Sequence, residues 1–66
     1  MRIVLNGEAT EAIDGATVAG LLLQLGISRE RVAVELNADI VPKIVYETQL
    51  LSDGDKIEIV HFVGGG

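Results

Sequence analysis

Thr17-Val18-Ala19-Gly20-Leu21-Leu22-Leu23-Gln24-Leu25-Gly26 is the stretch on which the fold turns. Val18, Leu21, Leu22 and Leu25 fall at i, i+3, i+4 and i+7, the spacing that gathers apolar side chains into one stripe along a helix. Thr17 stands where a hydroxyl can accept from a free N–H of the first turn, and Gly26 where a left-handed residue ends a helix. The spacing therefore predicts a helix over 18–25. So short a helix is marginal in water by itself. Its stripe has to lie against a sheet.

The flanking sequence supplies that sheet. Ahead of the helix, Met1-Arg2-Ile3-Val4-Leu5 alternates, with Met1, Ile3 and Leu5 on one face, and Asn6-Gly7 is the dipeptide that favours a type I′ hairpin turn. A return strand over 8–13 follows, with Ala9 and Ile13 on one face and Glu8 and Thr10 on the other. Behind the helix, a polar link over 28–31 leads to Val32-Ala33-Val34-Glu35-Leu36-Asn37, an alternating strand with Val32, Val34 and Leu36 inward. Val41-Pro42 predicts a turn or a sheet edge, since proline cannot donate to a ladder, and Ile44 to Thr48 reads as a short strand beyond it. Asp53-Gly54 is a turn, and Lys56 to Phe62 reads as a final strand with Ile57 and Ile59 on one face. Strand, strand, helix, strand, short strand, strand gives an α+β fold, one mixed sheet with one helix across one face.

At 66 residues the chain holds one domain, and a domain of this size buries roughly 60% of the surface that its unfolded chain exposes. With 48% hydrophobic and 23% charged residues, it has the composition of a chain that folds. The absence of cysteine excludes disulfides, thiolate metal sites and a cysteine nucleophile. Ten acidic against five basic residues, net −5, argue against nucleic acid and anionic membranes, which select basic patches, and suit a basic partner surface. No signal segment opens the chain and no apolar run approaches the ~20 residues that a bilayer needs. A soluble cytoplasmic protein is expected.

Enzymatic chemistry finds little to work with. Ser28 and Ser52 sit in polar links with no histidine near either in sequence, and no glycine-rich phosphate loop precedes the helix. Asp53 and Asp55 flank a turn glycine and are read as turn formers. His61, the one histidine, has no ligand spacing around it and is read as a strand residue. The unusual feature is the end, Val63-Gly64-Gly65-Gly66, directly after a strongly patterned strand. At ~3.3 to 3.6 Å per residue this segment reaches roughly 13 to 14 Å, enough to enter a partner's active site while the body stays outside. Glycines pass a narrow channel and take backbone angles barred to other residues. A carboxylate there is a poor electrophile until ATP adenylates it. A sulfur nucleophile then makes the chain a group carrier, whereas an amine makes it a conjugated modifier.

The whole chain resembles the ubiquitin-like β-grasp sulfur carriers, and among them those of thiamine biosynthesis. The likeness is carried by the opening Ile-Val-Leu-Asn-Gly hairpin, the helix start Thr17-Val18-Ala19-Gly20-Leu21-Leu22, Val32 to Asn37, Val41-Pro42, Leu51-Ser52-Asp53-Gly54-Asp55 and the Ile-Val-His-Phe-Val-Gly-Gly-Gly end. It implies a β-grasp domain over 1–63, with a mixed four- to five-stranded sheet, and a flexible glycine tail over 64–66. It also implies that the carboxylate of Gly66 is adenylated by an E1-like adenylyltransferase (ThiF-type) using ATP. Sulfur from a cysteine-desulfurase route then converts it to a thiocarboxylate, and a thiazole synthase (ThiG-type) accepts that sulfur. By the same likeness Gly64 and Gly65, with Gly66, thread the activating enzyme's channel, and Phe62 and Val63 contribute to docking. The chain is then a co-substrate with no bound cofactor or metal, a monomer when free. Carriers for molybdopterin or another sulfur-containing metabolite, a ubiquitin-like modifier and a β-grasp interaction module remain the alternatives.

Overall fold

The computed structural model describes residues 1–63. Five strands and one α-helix follow in the order β1 (Arg2–Leu5), β2 (Glu8–Glu11), α1 (Val18–Leu25), β3 (Val32–Leu36), β4 (Asp39–Ile40) and β5 (Lys56–His61), with 3-10 turns at Arg29–Arg31 and Lys43–Val45. The sheet runs β2-β1-β5-β3-β4. β1 lies parallel to β5, and the other pairings are antiparallel. This is the mixed sheet crossed by one helix that the sequence predicts, a β-grasp arrangement.

Asn6 and Gly7 both take positive φ, 48° and 85°, which turns β1 tightly into β2. Thr17 accepts from the Gly20 N–H at 3.1 Å and caps α1, and Gly26 ends it at φ 71°. Val18, Leu21 and Leu22 are buried under the sheet, against Ile3, Val32, Val34, Ile57 and Ile59. The inward apolar positions of the alternating strands thus join the helix stripe in one core, which also holds Tyr46, 1% exposed. Asp53 and Asp55 serve the turn: Asp53 accepts from the Arg2 N–H at 2.8 Å, and Asp55 from the Ser52 N–H at 2.7 Å.

Two expectations need correction. The return strand ends at Glu11, and the residues turned inward are Thr10 and, just past the strand, Ala12, rather than Ala9 and Ile13. Ile3 pairs directly with Thr10, and directly opposed residues share a sheet face, so the fully buried Ile3 draws Thr10 inward with it. The second correction concerns the short strand, which is β4 over Asp39–Ile40 and not 44–48. Asn37 and Ala38 turn the chain with positive φ, 51° and 74°, straight back along β3. Pro42 then opens a 3-10 turn in which the N–H groups of Val45 and Tyr46 donate to the Pro42 and Lys43 carbonyls. A helical turn places Tyr46 in the core and leaves Ile44 in solvent, and this tertiary burial outweighs the β-branched composition of the segment.

Candidate functional site

β5 is the central strand, flanked by β1 and β3, and it carries the chain out of the fold. Its inward residues, Ile57 and Ile59, anchor it in the core, and its alternate residues face away from the helix. On that open face Val60 lies opposite Ala33, Glu58 opposite Glu35, and Glu35 in turn opposite Ile40 on the edge strand. Along β5 this face therefore runs from Lys56 through the opposed carboxylates of Glu58 and Glu35 to Val60, and turns apolar only as it nears the tail.

One residue past the strand, the Phe62 N–H still donates to the Arg31 carbonyl at 2.9 Å. Among the described residues no later backbone bond follows, so the chain leaves the ladder at Phe62. Neither Phe62 (58% exposed) nor Val63 (96%) completes the core. Both present apolar surface at the root of the tail. Gly64, Gly65 and Gly66 lie outside the described residues. His61 ends β5 on the surface, opposite Val32.

The root is framed by three of the chain's five basic residues. The Lys43 ammonium lies 5.3 Å from the centre of the Phe62 ring. Arg29 packs over Tyr46, 5.4 Å from its ring centre, donates to Glu47 at 3.1 Å and to the Lys43 carbonyl at 2.9 Å. Arg31 supplies the carbonyl that holds Phe62. Sequence reading did not anticipate this frame. Its residues lie in one polar link and the segment after Pro42, and only the 3-10 geometry at 29–31 and 43–45 draws them to the end of β5.

Elsewhere a shallow groove of about 350 Å³ runs beside the end of α1, lined by Leu22, Leu23, Ile27, Ser28, Arg29 and Glu47 among others. Its serine hydroxyl donates to Glu30 at 3.0 Å and no histidine lines it, so it holds no nucleophile–base pair. Among the described residues no three histidine, aspartate or glutamate side chains stand together to hold a metal ion.

A solved structure shares this architecture. The crystal structure of the thiamine biosynthesis protein (ThiS) from Geobacter metallireducens superposes with a TM-score of 0.86 at 30% identity, covering all of both chains. The sulfur carrier protein ThiS of Escherichia coli (strain K12) is 33% identical over 66 residues, the full length of both proteins. A thiazole synthase from Paramagnetospirillum magneticum is 48% identical over all 66 residues, and another from Magnetococcus marinus matches equally. The chain spans only 20% of the length of these two synthases. The model of the ThiS family matches from residue 3 to residue 66, so the likeness runs from the first strand through the glycines of the tail, and the chain belongs to the ThiS family.

Proposed function

We propose that this chain is the sulfur carrier for the thiazole moiety of thiamine, a cytoplasmic co-substrate rather than an enzyme, and that its reactive group is the carboxylate of Gly66. The observation that carries the reading is the continuous family match from β1 to Gly66, laid over a fold in which the central strand runs directly into that segment. The carboxylate attacks the α-phosphorus of ATP in an E1-like adenylyltransferase, pyrophosphate leaves, and the acyl adenylate gains a leaving group. A sulfide equivalent then attacks the carbonyl carbon, AMP departs with the electron pair of the broken C–O bond, and the chain ends in a thiocarboxylate. Thiazole synthase takes the sulfur. Two relatives that carry a segment like this chain within a longer thiazole synthase support that choice of acceptor over a molybdopterin enzyme.

In this reading Gly64 and Gly65 occupy the adenylyltransferase channel, while Phe62, Val63 and the open face of β5 rest on its surface. The test is the intact mass of the chain after incubation with ATP, a sulfur donor and the activating enzyme, beside a Gly66-deleted control. A gain equal to one sulfur-for-oxygen exchange, confined to the intact chain, is expected. Attachment to lysines of other proteins would instead establish a modifier, and an unchanged chain in a mixture that activates another carrier would leave an interaction module.

A further inference from the structure

The root of the tail is tied to the core by an unbroken series of contacts. Tyr46 is buried; Arg29 lies over its ring and is held there by Glu47; the Arg29 guanidinium binds the Lys43 carbonyl, which also accepts from the Tyr46 N–H at 3.1 Å; and the Lys43 ammonium lies over Phe62. Arg29 has 32% of its side chain exposed, and the Lys43 carbonyl is held from two sides, by the Arg29 guanidinium and the Tyr46 N–H. Phe62 is fixed from two sides as well, by Lys43 through its ring and by Arg31 through its N–H.

We propose that Lys43 is a positioning residue for the tail, holding Phe62 so that the chain leaves the body at one point and in one direction. The inference rests on the carrier reading and deepens it. With Phe62 held, four residues, 63–66, remain beyond it, and at full extension four residues span roughly 13 to 14 Å. Losing the ring contact leaves Phe62 tied through its N–H to Arg31, which loosens the direction in which the chain leaves the body, lowers the effective concentration of the terminus at the mouth of a partner's channel and adds disorder that binding has to remove. Lys43 therefore acts on the binding of the carrier by its activating enzyme and not on the chemical step.

The experiment measures ATP-dependent adenylation, with the carrier as varied substrate, for the wild type, Lys43→Met, Lys43→Arg, Phe62→Leu and the Lys43→Met/Phe62→Leu double variant. An exposed cation–π contact is worth about a two- to five-fold change in an equilibrium. Lys43→Met is expected to raise KM by that factor with kcat unchanged, Lys43→Arg to restore it, and Lys43→Met to add nothing once Phe62 is leucine. An unchanged KM, a fall in kcat, or an equal further loss in the Phe62→Leu background would overturn the inference, the last because it would mean that Lys43 touches the partner directly. If the wild type is not adenylated at all, the carrier reading fails by itself, and NMR then decides the positioning role. Phe62 ring shifts and the order of the Val63 amide are expected to change in Lys43→Met and to return in Lys43→Arg. Identical spectra around Phe62 in all three proteins would end it.

Discussion

The side chain of Asn6 completes the ladder that β1 is too short to give β5: its Oδ1 accepts from the Ile59 N–H at 2.7 Å and its Nδ2 donates to the Ile59 carbonyl at 3.3 Å. The Asn6 N–H donates to Ile57 one step earlier, so the side chain extends the pairing past the point where the main chain turns away. Asn6 is thus a turn residue and a strand partner at once. Asn6→Gly keeps the positive φ and removes both bonds, leaving a partly buried N–H of the central strand without a partner. A loss of about 1 to 3 kcal/mol in urea unfolding is expected. Asn6→Asp, which keeps the acceptor and loses the donor, should fall between the two. Equal stability of Asn6→Gly and wild type would mean that water replaces the side chain at no cost.

A second closure lies at the other end of the hairpin, where the Met1 ammonium bonds to the Asp14 carboxylate, the Ala12 carbonyl and Glu11. The hydrogen bond that the ammonium donates to Asp14 raises its proton affinity above its ordinary 8.0, and the same bond holds the Asp14 carboxyl below its ordinary 3.8. The two shifts bound a pH window. Asp14, depressed in the folded state, contributes fully above 3.8 and loses its contribution as pH falls through its lower folded value. The ammonium, raised, contributes fully below 8.0 and loses its contribution as pH climbs through its higher folded value. The stability difference between wild type and Asp14→Asn should therefore be flat between these limits, shrink on both sides and diminish in strong salt, because the pair is exposed. Urea midpoints across pH measure it. A difference that persists far into acid would assign the effect to packing.

How much of this was legible in the sequence depends on whether the deciding contact is local. The bounds of α1 follow from Thr17 and Gly26, and the first hairpin from Asn6-Gly7, because caps and turns are set by the residues that form them. The phase of β2 was not legible: Ala9 and Ile13 look like an inward face until Ile3 is seen to sit opposite Thr10. Ile44-Val45-Tyr46 has strand composition, yet a 3-10 turn after Pro42 is what lowers Tyr46 into the core. At the candidate site, Phe62 and Val63 were visible as apolar residues ahead of glycines. The frame of Arg29, Arg31 and Lys43 around them was not, since it depends on how two short turns pack against each other.

The turn that sequence reading missed carries a cost of its own. Ala38 sits at φ 74°, where a Cβ meets the following carbonyl oxygen at an expense of roughly 1 to 2 kcal/mol. Glycine removes that strain and returns roughly 0.5 to 1 kcal/mol as added freedom of the unfolded chain. Ala38→Gly is therefore expected to stabilise the protein by up to about 1 kcal/mol, read as a raised urea midpoint. A lowered midpoint would place the residue in a relaxed conformation in solution.

The opposite exchange is expected to help in the helix. Gly20 lies inside α1, and a Cβ built there meets Thr17 Oγ1 at 3.5 Å and the Ala16 Cβ at 3.7 Å, both ordinary van der Waals contacts. Nothing has to move, so Gly20→Ala should gain most of the roughly 0.8 to 1 kcal/mol that separates the two residues in a helix interior. A loss of stability would show that the Thr17 cap is disturbed, and a Thr17→Ala background, where that cap is already absent, distinguishes the two causes.

The last expectation concerns the residue on which the proposed function stands. Gly66→Ala adds one methyl beside the carboxylate, three residues past Val63, which is itself exposed, and the unfolding midpoint should stay with the wild type. Adenylation should not. If the terminus is threaded through a passage fitted to glycine, the methyl displaces the carboxylate from the α-phosphorus of ATP, and a shift of about 1 Å in a reacting group costs on the order of 10²-fold in rate. The loss is expected in kcat, because the displaced atom is the nucleophile, whereas substitutions at Phe62 or Lys43 act on how the body and the root of the tail are held and are expected in KM. The two classes of variant thus separate in one set of rate measurements. A Gly66→Ala chain that is adenylated as fast as the wild type would mean that the passage does not close on the terminal residue, and the reason for glycine there would then lie in the later transfer of sulfur.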